Sequence, residues 1–130
     1  MAEHPNAELM RRVLDAFMSG NTPALGQYFA EDVVWHVPGK SELAGSHRGQ
    51  YEVFGFFGKL LYLSNGTFRV ESINILADDD GGVYIDRITA QRGGKELDIL
   101  LLLRVTIRNG KIIEGWDCFH QEHLWDEFWA

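Results

Sequence analysis

The chain holds one cysteine, Cys118, among its 130 residues. That excludes an internal disulfide, and a lone thiol cannot build a zinc site of the cysteine-rich kind. Runs of lysine or arginine are also missing, and the formal charge is −7. Nucleic acid is therefore not an expected partner, because phosphate backbones demand a basic face. No stretch approaches the roughly 20 apolar residues of a membrane span. The start Met1-Ala2-Glu3-His4-Pro5 has neither the basic lead nor the apolar core of a secretory signal. A cytoplasmic address with no membrane partner is the corresponding expectation.

What the chain does have is apolar bulk, 45% of its residues. Its length suits a single domain spanning 1–130 and is too short for two independent cores. Trp35, Trp116, Trp125, Trp129, eight Phe and four Tyr can wall a cavity as readily as fill a core.

Leu9, Val13, Leu14, Phe17 and Met18 recur at helical spacing, with Glu8, Arg11, Arg12 and Asp15 on the other face, and predict a helix from about Asn6 to Ser19 capped by Asn6. Gly20-Asn21 ends it, and Thr22-Pro23 opens a short second helix. Asp32 to Pro38 reads as a strand, followed by a glycine-bearing loop from Gly39 to Gly49 and a third helix from about Gln50 to Leu63. Four strands then follow, near Thr67 to Ala77, Val83 to Arg92, Glu96 to Arg108 and Lys111 to Gln121. Asp-Gly-Gly, Gly-Gly and Asn-Gly separate them, which is hairpin chemistry and implies an antiparallel meander. His123 to Ala130 reads as a short helix or an extended cover.

Ile99 to Leu103 lacks the polar alternation of a sheet with one wet face. Both faces should be buried, one by the helices and pocket, the other by a second subunit across a two-fold axis. A homodimer through the meander sheet is the expectation.

Three segments carry a family likeness: Tyr28-Phe29-Ala30-Glu31-Asp32 leading into Val33-Val34-Trp35-His36-Val37-Pro38-Gly39, then Leu43-Ala44-Gly45 with Arg48-Gly49, then Asn109-Gly110-Lys111-Ile112-Ile113-Glu114-Gly115-Trp116-Asp117. With the element order, they make the chain resemble the nuclear-transport-factor-2-like superfamily, in particular its SnoaL-like and ketosteroid-isomerase-like branch. The resemblance implies an α+β fold in which a cone-shaped, curved antiparallel sheet packs with three N-terminal helices around an internal pocket. It leaves the activity open, since one fold hosts many functions.

Steroid isomerases of this fold place a Tyr on the first helix and an Asp base near the end of the first strand. This chain shows Val13 at the first position and His36-Val37 at the second. Epoxide hydrolases similar to the limonene enzyme use an Asp-Arg-Asp set. By that resemblance Arg87 matches the Arg and Asp117 one Asp, while Thr89 stands where the other would be and His36 takes the place of an Asn that holds the water.

The expected catalytic group is therefore Asp117, His36 and Arg87, with the carboxylate and imidazole as acid and base and the guanidinium as orienter. If Asp117 faces the pocket, strand alternation turns Phe119 inward and brings Leu97, Ile99, Leu101 and Leu103 with it. Trp35, Phe57, Leu61, Thr89, Ile99, Leu101 and Phe119 are the expected substrate contacts. On the same alternation Asp86 and Asp98 fall outside the pocket set.

The corresponding function is a cofactor-free, metal-free enzyme that moves a proton or adds water in a small apolar molecule, as an isomerase, cyclase or hydrolase does. The alternative is a binding or accessory protein of the same shape, in which those groups only anchor a ligand; for Asp117 and Arg87 the other reading is a structural ion pair across adjacent strands. Other signals lead nowhere. Gly39-Lys40-Ser41 lacks the first glycine of a phosphate loop, Asp78-Asp79-Asp80-Gly81 places Thr89 where a calcium loop needs an acid, and His120 with His123 has no third ligand.

Overall fold

The computed structural model describes residues 3–130. Helix α1 (Pro5–Ser19) starts one residue earlier than the apolar repeat suggests, because His4 rather than Asn6 is the cap and its Nδ1 accepts from the Asn6 amide. Asn6 instead donates from its side chain to the Asp78 carbonyl at 2.9 Å. Gly20, at φ 69°, closes the helix in the left-handed conformation that favours glycine. Asn21 caps α2 (Thr22–Tyr28), and β1 (Phe29–Val37) follows without a loop.

The segment read as a plain loop contains a short strand, β2 (Gly45–Arg48), antiparallel to β1. Next come α3 (Gly49–Leu63), the meander β3 (Arg69–Asp78), β4 (Gly81–Arg92), β5 (Lys95–Arg108) and β6 (Lys111–Phe119), and a closing helix α4 (Glu122–Trp129). The Asn109-Gly110 turn has positive φ at both residues, 53° and 74°, the geometry that twists correctly between antiparallel strands.

All six strands form one sheet in the order β2-β1-β6-β5-β4-β3. The meander is antiparallel as expected, but β1 joins β6 in parallel, so the sheet is mixed. No hairpin constrains that pair, and the long connection through α3 and the meander supplies the crossover that a parallel pair needs. Helices α1, α3 and α4 pack on one face, α1 against β3 and β4, α3 against β1, and α4 against β5 and β6. The result is an α+β fold with a curved sheet closed over by helices.

Alternation sorts β5 as the sequence suggests. Leu97, Ile99, Leu101, Leu103, Val105 and Ile107 are buried on the helix side, whereas Leu102 faces away and keeps 39% of its surface exposed. The absence of a side chain at Gly82 lets α1 sit directly on β4, since a Cβ there would lie 2.4 Å from the Leu76 carbonyl oxygen and 2.6 Å from the Met10 sulfur.

Candidate functional site

Between the helix side of the sheet and α1, α3 and α4 lies a cavity of about 80 Å3. Its walls are Phe17, Phe29, Phe57, Trp35, Phe119 and Trp125 together with aliphatic side chains. A space of that size holds two or three waters, whereas ligand pockets run from roughly 300 Å3 upward. A larger guest requires these side chains to move.

Besides the indole N–H groups of Trp35 and Trp125, three residues with polar side-chain groups line the cavity, namely Tyr84, Asp86 and Asp117. The Tyr84 hydroxyl is committed, donating to the Met10 carbonyl at 2.6 Å, and burial raises its pKa well above the usual phenol value. The two carboxylates are the free chemistry. Asp117 opposes Leu103 across β5–β6, and Asp86 opposes Leu101 across β4–β5, so the acids flank β5 from its two sides on the same face.

Asp117 accepts a hydrogen bond from the Trp35 indole N–H at 3.2 Å. Trp35 can lie there because Gly115, its register partner on β6, has no side chain to meet the ring. The residue retains some solvent-reachable surface, and its carboxyl borders the cavity. Burial raises the Asp117 pKa to about 7, against the Trp35 hydrogen bond and with further upward pressure from the Asp86 charge. Asp86 is 2% exposed, and its Oδ1 has no hydrogen-bond partner. Burial raises it to about 6, with the Ser72 hydroxyl acting in the opposite direction. With values of about 6 and about 7, the pair passes near neutrality through a state in which one carboxyl is ionised and the other keeps its proton, which suits one to give a proton while the other takes it.

The expected trio does not converge. Asp117 is in the cavity, but Arg87 lies on the opposite face of β4, where it is exposed and grips Asp98 through Nε and Nη2 at 2.9 and 2.6 Å. That pairing lowers the Asp98 pKa, first through the hydrogen bonds. His36 also points away from the cavity. Its neighbour Trp35 takes the inward side of β1, and the imidazole bonds Ser46 Oγ at 2.8 Å and Glu114 Oε2 at 2.5 Å while stacking on Trp116. Neither can orient Asp117.

Among the expected substrate contacts, Trp35, Phe57, Leu101 and Phe119 line the cavity. Thr89 does not, since it opposes Asp98 on the outer face. Ile99 is buried on the inner face but lies beyond the cavity, and Leu61 packs against the core without lining it.

Asp86, which strand alternation sets outside the pocket group, lies inside the cavity. The readable signal was the parity of β4, where Tyr84, Ile88 and Ala90 share a side with Asp86, while Arg87, Thr89 and Gln91 share the other. An acid on the apolar parity of a strand belongs to the interior. Among the described residues no group of three or more His, Cys, Asp or Glu is placed to hold a metal ion, and no helix is long and apolar enough to cross a membrane.

Four helices and a six-stranded, curved, mixed sheet place the chain in the nuclear-transport-factor-2-like class of domains. Within it the chain belongs to the SnoaL-like domain family, whose model matches residues 10–115. An uncharacterized protein of Mycobacterium tuberculosis is 34% identical over 131 residues, covering 100% of both chains. Among solved structures, Bal32a from a soil-derived mobile gene cassette superposes with a TM-score of 0.94 at 40% identity over 97% of each chain. A protein of unknown function with a cystatin-like fold from Xanthomonas campestris gives a TM-score of 0.89 at 28% identity, over 96% of this chain and 98% of its own.

Proposed function

We propose that this protein takes a small apolar molecule into the cavity and moves a proton on it with the Asp86–Asp117 pair, as isomerases and cyclases do. One observation carries this reading: two carboxyls, raised to about 6 and about 7, border the same apolar space with no Lys, Arg or His among its lining residues. Buried acids without a counter-charge are costly to keep, and sites of chemistry are where such groups concentrate. The two acids divide the work, one ionised to take the proton while the other, still protonated, gives one, and the Trp35 indole steadies Asp117. The same proposal takes the protein to be one domain that acts in the cytoplasm as a homodimer through the outer face of the sheet.

The test is mass spectrometry of whatever compound co-purifies, followed by its proton–deuterium exchange in heavy water with native protein and with Asp117→Asn. A general base supplies roughly 10² to 10⁴ in rate, so the substitution should slow exchange by at least about a hundredfold. An unchanged rate in the variant removes Asp117 from the mechanism.

A second reading, a binding protein without catalysis, draws on the placement of His36 and Arg87. Both sit outside the cavity and are already paired, so the acid pair has no cationic helper. Under that reading native protein binds the compound and exchanges none of its protons.

A further inference from the structure

The two cavity acids have no cation to answer them from any wall. Helix α1 contributes Val13, Leu14 and Phe17 there, α2 contributes Leu25, α3 contributes Phe56, Phe57 and Leu60, and α4 contributes Trp125. On the sheet, the polar groups facing Asp86 and Asp117 are Ser72, Tyr84 and Trp35, and none carries positive charge. The Oδ1 of Asp86 is fully enclosed and lacks a donor. Buried carboxylates are normally paired with a positive group or hydrogen-bonded to donors. The rings of Phe29, Trp35, Phe57 and Trp125 surround the same space, and aromatic faces attract cations.

We propose that the ligand of this cavity is a compact apolar molecule whose polar head is a nitrogen cation, a protonated amine or iminium, seated between Asp86 and Asp117 with the aromatic rings around it. The inference rests on the cavity being the ligand site. It also means that anions are rejected, because an acid head would meet two like charges with nothing to neutralise them.

The sign of the pH dependence separates this ligand from a neutral one. As pH rises through the range in which the two acids lose their protons, the cavity gains negative charge. A cation then binds more tightly, whereas a carbonyl compound that accepts a hydrogen bond from a protonated acid binds less tightly. Binding of the cation should release protons, by linkage.

Three probes of one shape test this: cyclopentylamine, cyclopentanone and cyclopentanecarboxylate, titrated into the native protein while NMR follows the indole N–H signals of Trp35 and Trp125. Between about pH 5 and about pH 8 the amine should tighten by at least about tenfold, the ketone should weaken, and the carboxylate should stay without effect. An amine affinity independent of pH, or a ketone that outbinds the amine at the upper pH, overturns the cationic ligand but leaves the cavity as a binding site. Failure of all three probes to move either indole signal overturns both.

Asp86→Asn and Asp117→Asn, singly and together, should weaken the amine by more than about tenfold while the ketone is retained. Equal loss of amine and ketone in the single variants sinks the assignment. The single Asp86→Asn, in which the Trp35–Asp117 bond is untouched, keeps the test decisive if the double variant does not fold.

Discussion

Gly115 shows how one missing side chain sets the chemistry of the site. A Cβ there would lie 2.6 Å from two carbons of the Trp35 ring, which is too close for any real contact. Gly115→Ala must therefore displace the indole, and with it the hydrogen bond to Asp117. The expected result is a loss of about 1 to 3 kcal/mol in chemical denaturation, as for other overpacked cores, and a further rise in the Asp117 pKa visible in carboxyl NMR. A variant with native stability and an unshifted Asp117 would show that Trp35 does not hold the acid.

Asp117 itself burdens the fold at high pH. Its pKa is raised from 3.8 to about 7 in the native state, so the protonated form favours folding and the stabilisation is lost as pH rises from about 4 through 7. Asp117→Asn removes a group that must be ionised at alkaline pH. Allowing for its partial exposure, the variant should exceed native stability by on the order of 2 kcal/mol at about pH 8 and lose that advantage towards about pH 4. Urea midpoints across this range measure it, and parallel pH curves for the two proteins would contradict the buried-acid assignment.

At the scale of elements, α4 is the wall of the cavity held by polar contacts. Asp126 Oδ1 accepts from the Lys40 and Ser41 amides at 3.0 and 3.2 Å, tying the helix to the turn after β1. Gly39, at φ 102°, leaves room for that carboxylate, which a Cβ would approach to 2.3 Å. Arg92 and Lys95 donate to the carbonyls of Glu127, Phe128 and Ala130, just beyond Asp126 in the chain. Yet the indole N–H groups of Trp125 and Trp129 are buried without partners, so this helix carries unmet hydrogen bonds that water would satisfy on release. Asp126→Ala should cost about 1 to 3 kcal/mol, and hydrogen exchange at α4 amides should accelerate before that of β5. Equal acceleration throughout the chain would mean that α4 does not open by itself.

The sequence made these elements legible to different degrees. The helices and the meander were readable because apolar spacing and Gly-containing turns act locally. β2 was not, since Gly45–Arg48 has no apolar alternation and exists only because β1 offers it an edge. The inward set of β5 was readable only through Asp117, which the resemblance pointed to and from which strand alternation places Phe119, Leu101 and Leu103 on the same side. β4 was misread because isoleucines sit on both of its parities, Ile85 outside and Ile88 inside, and a resemblance placing Arg87 in the pocket outweighed the Tyr84-Asp86-Ile88-Ala90 pattern. His36 shows the same limit. Its neighbour Trp35 is the larger apolar group, and in a strand only one of two neighbours can point inward.

For the molecule as a whole, the surface that bears on assembly is the outer face of the sheet. Leu102 is 39% and Trp116 38% exposed there, Ile85 and Cys118 are the register partners of Leu102, and the Arg87–Asp98 pair lies nearby. An apolar centre with a charged border is the anatomy of an interface between copies, and a two-fold axis near Leu102 would bring the patch against itself. Leu102→Glu should then yield a monomer, because the axis would set two like charges face to face in a desolvated centre. Light scattering on the eluting protein reads the mass, and alkylation of Cys118 supplies an independent measure, since its thiol is exposed in the single chain and would be shielded by a partner. Native protein should elute as a dimer with slow alkylation, and the variant as a monomer with fast alkylation. The cavity opens on the other side of the sheet, so the monomeric variant should keep its affinity for a ligand. A variant that stays dimeric with Cys118 still shielded would place the contact elsewhere and leave Leu102 and Trp116 as ordinary exposed side chains.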